Sequence, residues 1–298
     1  MSTVLIVGSV AFDTIETRTE RREEILGGSA TYASVAGSLL APVRVVAVVG
    51  DDFPQEHLEF FRSRGVDTEG IDREPGRTFR WSGRYSDDFS SRETLDTQLN
   101  VFEHFDPRIP DDYRRSEIVF LGNIVPELQL KVLDQIERPE LVAADTMNFW
   151  ISGKREALLE VLAKIDMLLI NDEEAIQLSG ESSVLSAGRA VQAMGPKRLV
   201  VKRGEHGALL FDGDELFYCP SYPLEGVVDP TGAGDSFAGA LLGWLAKHGT
   251  KSSLRRAVVW ATAVASFGVQ GFGVEGLRGL KTDSVEERVE ALGRLVAV

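Results

Sequence analysis

The chain has 298 residues, 43% of them hydrophobic, enough to bury a large core in one or two domains and too apolar for general disorder. Its 32 Lys and Arg against 46 Asp and Glu leave a net charge of -14, a field that repels polyanions and argues against nucleic-acid or anionic-membrane partners. One cysteine, Cys219, excludes an internal disulfide and a thiolate metal cage; with no basic leader and no apolar run approaching the ~20 residues of a membrane span, the expectation is a cytoplasmic protein.

In chain order, the first apolar run, Val4 to Val7, ends at Gly8 and reads as a buried strand, as does Val43 to Val49 ending at Gly50. Between them Ser29 to Leu40 is rich in small residues and reads as a helix packed closely on a sheet, stopped by Pro42. Strand and helix then alternate: Ile118 to Leu121 and Glu127 to Glu137, Leu141 to Ala144 and Lys154 to Lys164, Met167 to Ile170 and Asp172 to Leu178. Such alternation implies a mostly parallel sheet with helices on both faces. The last third adds strands at Leu199 to Lys202, Ala208 to Phe211 and Leu216 to Cys219, then helices at about Ala233 to Lys247, Ser252 to Phe267 and Val285 to Val296.

Two stretches break the alternation, at about residues 12–26 and 77–101. The first mixes Thr, Glu and Arg; the second carries Arg80, Trp81, Arg84, Tyr85 and Thr94 at strand-like spacing around the turn-forming Ser86-Asp87-Asp88. Both read as solvent-facing antiparallel strands, either a plain surface hairpin or a lid over a substrate. Without a long linker or internal repeat, residues 1–298 are expected to form a single domain with these strands inserted.

The segment richest in chemistry is Val227-Val228-Asp229-Pro230-Thr231-Gly232-Ala233-Gly234-Asp235-Ser236-Phe237. Glycines at 232 and 234 let the backbone approach a ligand and turn its amides toward it, and the helix that follows adds the positive end of its dipole. The result is an anion hole. A carboxylate at its mouth repels phosphate unless it has another task, and the task inferred for Asp235 is to take the proton from a hydroxyl attacking a phosphoryl group. For a lone G-x-G-D the alternative is an ordinary helix start with a capping aspartate.

The longer string resembles the D-x-T-G-A-G-D-x-F signature of the ribokinase-like, or pfkB, family of sugar and nucleoside kinases. Three more segments agree in order: Gly27-Gly28 before a small-residue helix, Asn171-Asp172-Glu173-Glu174 as an N-x-x-E motif, and Val201-Lys202-Arg203-Gly204-Glu205-His206-Gly207-Ala208 as a strand-turn-strand on the nucleotide side. The resemblance covers nearly the whole chain. It implies a three-layer α/β/α ribokinase-like fold with a mostly parallel central sheet and a small β-strand lid.

Carried over by residue, it implies Asp235 as base, with Gly232, Ala233 and Gly234 forming the hole for the transferred phosphoryl. ATP is the implied donor, with Asn171 and Glu174 organising Mg2+ and its waters. Lys202, Arg203, Gly204 and Gly207 lie along the nucleotide, Thr231 belongs to the phosphate loop, and the adenine rests near Ser266 to Gly273. Some relatives bind a monovalent cation beside the hole, for which Asp229 is the candidate ligand, although Pro230 alters the backbone there. Asp13, Gly27, Gly28, Tyr32 and Asn148 are the implied substrate residues, with Asp145 and Trp150 also near the pocket. Tyr32 departs from the asparagine common at its place; an aromatic there either stacks on a nucleobase or fills space.

The reading is therefore an ATP-dependent kinase for the primary hydroxyl of a sugar. Alternatives are a nucleoside kinase of the same fold, a catalytically silent metabolite sensor, and a relative using another donor. An exposed lid edge offers a surface for a homodimer. Other patterns fail on their own terms. Gly271 to Gly276 spells G-x-G-x-x-G without the βαβ context, and His57, His104, His206 and His248 lack paired metal-ligand spacing. Phe102, Phe105 and Trp81 are read either as a pocket wall or as the apolar underside of the lid.

Overall fold

Strands of four to nine residues, unbroken apolar runs in the middle of the larger sheet, build the sheets of this chain. The computed structural model describes residues 2–297. The N-terminal part contains β1 (Val4–Val7), β2 (Ala11–Glu16), β3 (Arg21–Gly27), α1 (Ser29–Gly37), β4 (Val43–Gly50), α2 (Gln55–Ser63), β5 (Val66–Glu74), β6 (Phe79–Tyr85) and β7 (Arg92–Gln98). The middle contains β8 (Ile118–Leu121), α3 (Pro126–Leu133), β9 (Leu141–Asp145), α4 (Asn148–Gly153), α5 (Arg155–Leu162), β10 (Met167–Asn171), α6 (Asp172–Ser179) and α7 (Val184–Gln192). The last third contains β11 (Arg198–Lys202), β12 (Ala208–Asp212), β13 (Glu215–Cys219), α8 (Ala233–His248), α9 (Leu254–Gly268), α10 (Glu275–Arg278) and α11 (Thr282–Val296).

Nine strands form the main sheet in the order β13-β12-β11-β10-β9-β8-β1-β4-β5. All neighbours from β11 to β5 run parallel, and the pairs β11–β12 and β12–β13 are antiparallel, so that β12 alone is reversed. Alternate side chains feed two cores. Val4, Ile6, Ile118, Phe120, Met167 and Leu169 pack on the face covered by α1, α8, α9 and α11. Leu5, Val7, Val119, Leu121, Leu168 and Ile170 pack on the face covered by α3, α5, α6 and α7. Both faces of the parallel strands are thus buried, which explains why they read as unbroken apolar runs. This is the three-layer α/β/α fold.

The chain winds from β1 outward to β4 and β5, then returns to β8 on the other side of β1 and continues to β13. The change of direction opens a crevice at the carboxyl ends of β1 and β8, the usual place for a ligand in such sheets. Gly8 and Gly122 lie there; a Cβ on either would press on Ser29 Oγ, at 2.6 and 3.0 Å.

A second sheet has the order β3-β2-β6-β7 and lies at the inserted stretches. Its outer pairs are antiparallel, but the central pair β2–β6 is parallel, unlike the wholly antiparallel expectation. The reason lies in the main sheet: β1 and β5 run in the same direction, so the strands that follow them leave it together. Outside the small sheet, α2, α4, α7, α10 and β5 went unassigned in the sequence; α2 buries only Phe61, and the edge strand β5 carries five acidic or basic residues in nine.

Helix α1 is buried along its whole length and α8 lies against it. Their approach depends on Gly239 and Gly243: a Cβ on Gly239 would lie 2.0 Å from the Ala33 carbonyl oxygen, and one on Gly243 2.5 Å from that of Gly37. Gly239→Val therefore lowers the urea midpoint, by a stability loss of roughly 2 kcal/mol or more from overpacking, with an unchanged slope. An unchanged midpoint would contradict this packing.

Candidate active site

Helix α8 starts at Gly232, whose φ of 71° is left-handed and whose missing side chain is replaced by the ring of Tyr32: a Cβ would lie 2.2 Å from Cγ of that ring. No side chain caps the helix. The Ala233 amide donates to Pro230 O at 3.2 Å, whereas the amides of Gly234 and Asp235 have no acceptor among the described residues. Two free amides and the helix dipole thus face the mouth where Asp235 stands half-buried.

Beside them the carboxyl ends of β9, β10 and β11 bring three further groups together. Lys202 Nζ donates to Asp145 Oδ2 at 2.8 Å, with the two side chains only 16% and 9% exposed. A Cβ on Gly234 would lie 2.9 Å from that ammonium, which fixes Lys202 against the anion loop. Asn171 caps α6 by accepting from the Glu174 amide at 2.7 Å, while Glu174 Oε2 accepts from the Asn171 amide at 2.9 Å. This capping box uses the oxygen of Asn171. Within the pair only Glu174 keeps an oxygen, Oε1, without a protein donor among the described residues, so Glu174 fits a cation or its waters directly and Asn171 fits by holding Glu174. Among the described residues no group of three or more His, Cys, Asp or Glu side chains is arranged to hold a metal ion.

Charge ties the cluster together. Burial and then the charge of Asp145 push the carboxyls of Asp235 and Glu174 up, and Lys202 opposes both. Burial works against the Lys202 ammonium, but Asp145 and Glu174 outweigh it and hold its pKa above the ordinary value.

On the other side of Tyr32, Asp13 is 4% exposed, and a Cβ on Gly27 would lie 2.0 Å from its Oδ2. The Tyr32 hydroxyl donates to the same oxygen at 3.4 Å. Burial, then Asp229, raise Asp13 from its ordinary 3.8 to about 7. Gly28 holds φ at 94°, with a Cβ excluded by Ser9 O at 2.5 Å, and starts α1. Tyr32 itself is 2% exposed, so in this structure its ring fills space under the anion loop and has no open face for a base.

The small sheet reaches the same loop. Tyr85 Oη and Thr231 Oγ1 are 2.9 Å apart. Asp229, 1% exposed, accepts from the Thr231 amide at 2.8 Å and from the Gly273 amide at 3.0 Å, one bond to each oxygen. Ile15, Tyr85 and Phe272 form a small buried cluster with Trp81 against it. Phe102 and Phe105 instead stack in series with ring centroids 5.3 Å apart and join the main core.

Other expected residues lie apart from these groups. Asn148 is exposed; its hydrogen bonds run to Phe149 and Gln177, away from Asp13 and Tyr32. Arg203 turns to Asp172 at 3.5 Å rather than into the cluster. Gly204 and Gly207, at φ of 51° and 81°, shape the turn after β11. Two cavities, of about 190 and 430 Å³, contain none of these residues. Arg92 was missed: it stands opposite Tyr85 in the β6–β7 register, and its charge lowers the carboxyl pKa values of Asp235 and Glu174. Its only sequence signal is a cation in a strand beside a turn.

A carboxylate over free helix amides, with a buried ammonium alongside, suits transfer of a phosphoryl group to an alcohol, and the relatives of the chain carry out that class of reaction. The profile of the pfkB family of carbohydrate kinases matches residues 1–277. A cytidine kinase of Thermococcus kodakarensis is 31% identical over 249 residues, covering 81% of this chain and 88% of that one. A nucleoside kinase of Methanocaldococcus jannaschii superposes with a TM-score of 0.80 at 22% identity, covering 98% of this chain and 99% of the other. A putative ribokinase II of E. coli, solved with ATP and Mg2+, gives 0.77 at 22% identity, covering 98% and 100%. The chain belongs to the pfkB family. It is a phosphotransferase with an alcohol acceptor, a sugar or nucleoside kinase of the ribokinase fold.

Two outcomes follow from this geometry. Gly234→Val displaces the Lys202 ammonium and crowds the free amides, so nucleotide affinity and turnover both fall; unaltered kinetics would remove the anion loop from the site. Asp13 binds a proton in the folded state that it lacks when unfolded near neutral pH. Its stabilisation is complete below about pH 4 and is lost as pH rises through about 7. Asp13→Asn accordingly melts higher than wild type at about pH 8 and flattens the decline between about pH 5 and 8; parallel melting profiles would contradict the raised pKa.

Proposed function

We propose that the chain transfers the γ-phosphoryl group of ATP, bound with magnesium, to the primary hydroxyl of a ribose-bearing acceptor, with a nucleoside as that acceptor. The observation that carries the reading is the half-buried Asp235 at the start of α8, beside two free amides and Lys202. Similarity to a cytidine kinase favours the nucleoside. A free sugar is the second reading, favoured by the burial of Tyr32, which leaves that ring no exposed face for a base.

In this reading Asp13 accepts hydrogen bonds from acceptor hydroxyls and orients the sugar. Asp235 takes the proton of the attacking hydroxyl, a task suited to a carboxyl raised toward neutrality by burial. The amides of Gly234 and Asp235, with Lys202, hold the phosphoryl group as charge shifts onto its oxygens. Glu174 is the residue that would hold magnesium or its waters, and the ion, when bound, would neutralise part of the phosphate charge. The small sheet acts as the lid of a single domain spanning residues 1–298 and excludes water. Its outer strand β7 is exposed at every residue, an edge on which a second subunit can pair. The unpaired, buried Cys219 accords with a reducing, cytoplasmic setting.

The test is ADP release from ATP and magnesium across a panel of nucleosides, pentoses, hexoses, ketoses, inositols and sugar acids. A nucleoside hit is expected, and Asp235→Asn should bind the same acceptor while losing roughly 10²–10⁴ in turnover. Wild-type turnover in that variant would refute the base. Silence across the panel with ATP bound would point to a sensor.

A further inference from the structure

We infer that Tyr85, on the small sheet, is a positioning residue for the phosphate-binding loop: its hydroxyl sets Thr231 and, through Asp229, ties that loop to the one at Gly273. The connection is continuous. Tyr85 Oη lies 2.9 Å from Thr231 Oγ1, the Thr231 amide donates to Asp229 Oδ1 at 2.8 Å, and the Gly273 amide donates to Asp229 Oδ2 at 3.0 Å. The bond from the Thr231 amide partly offsets the upward pull of burial on Asp229. In the pair of Tyr85 and Thr231 either hydroxyl can be the donor.

The small sheet grips the second loop too. Gly273, at φ 56°, passes so close to β3 that a Cβ would lie 3.0 Å from Leu26 O, and the Arg22 guanidinium sits 5.4 Å from the centroid of the Phe272 ring. Buried Asp229 therefore joins two loops that are both touched by the same sheet. The anion loop needs such support: α8 has no side-chain cap, and its N-cap residue, Gly232, is a left-handed glycine. Tyr85 is 9% exposed and packs with Ile15 and Phe272, so its ring is held while its hydroxyl makes the connection. Docking of the sheet and shaping of the amides that receive the phosphoryl group are in this way one event.

The catalytic consequence rests on the kinase reading, so the first measurement does not use activity. Hydrogen exchange of the full chain without ligands follows the amides of Thr231 and Gly273. Tyr85→Phe keeps the ring and removes one oxygen; it should fold with a near-native melt and exchange those amides roughly five- to tenfold faster, the scale of one lost hydrogen bond. Thr231→Val should do the same, the double variant should exceed neither, and Thr231→Ser should restore wild-type exchange. Unchanged exchange in Tyr85→Phe, or additive effects in the double variant, would overturn the proposal whatever the acceptor is. With an acceptor in hand, Tyr85→Phe should lower kcat roughly five- to tenfold with KM values within about twofold. A rise in KM alone would also refute a positioning role. A wild type that phosphorylates nothing, but whose variants show the exchange pattern, refutes the kinase reading and leaves the connection standing.

Discussion

Lys202 reaches across the end of β10 to Asp145, and this ion pair, 2.8 Å long and nearly closed to solvent, is the interaction around which the site is organised. Three carboxyls, Asp145, Glu174 and Asp235, converge on one ammonium. Buried like charges repel and resist ionisation, so the cluster persists only because Lys202 offsets them and because some of the acids retain protons near neutrality. A polyanion entering such a place meets amides, a helix dipole and the ammonium on one side and acids on the other. In the proposed reaction the ammonium, paired with Asp145, would also meet the phosphoryl group.

Close approach of backbone is the second constraint. Gly232 admits the Tyr32 ring, Gly234 admits the Lys202 ammonium, and Gly27 admits the Asp13 carboxyl. Each glycine leaves a side-chain-sized space that a functional group from a remote part of the chain fills. The same device lets α8 lie against α1 through Gly239 and Gly243, which places the anion loop over the switch in strand order beside β1. Packing and chemistry are met by the same small residues.

Much of this was legible because its causes are local. Strands buried on both faces read as apolar runs, and the loop from Asp229 to Asp235 carries its glycines and its acid in one contiguous string. What escaped depends on contacts between distant residues. The Lys202 partner lies 57 positions away on a strand two places across the sheet. The fate of the Tyr32 ring is decided by the absent side chain of Gly232, and Asn171 and Glu174 show their reciprocal cap only once α6 has its start. The parallel pairing of β2 with β6 follows from the directions of β1 and β5, which no local pattern reports. Edge strand β5 was missed because solvation of one side gives it the charges of a loop.

The small sheet is held very differently at its two ends. At its base Asp52 accepts from the Thr78 amide at 2.8 Å and hydroxyl at 2.7 Å and pairs with Arg80 at 2.8 Å, while Arg80 also bonds Glu24 at 2.8 Å. Beyond that anchor, toward the anion loop, one hydroxyl pair and a small apolar cluster make the contact. The charged hydrogen bonds at the base cost more to break than the one neutral hydroxyl pair at the far end, where the apolar cluster and the approach of Gly273 to β3 supply the rest of the contact. The weaker contact is the one beside the site, where Arg92 stands next to Tyr85. In the proposed function, opening at that end withdraws the Tyr85 hydroxyl and the Arg92 charge together and admits ligands to the site.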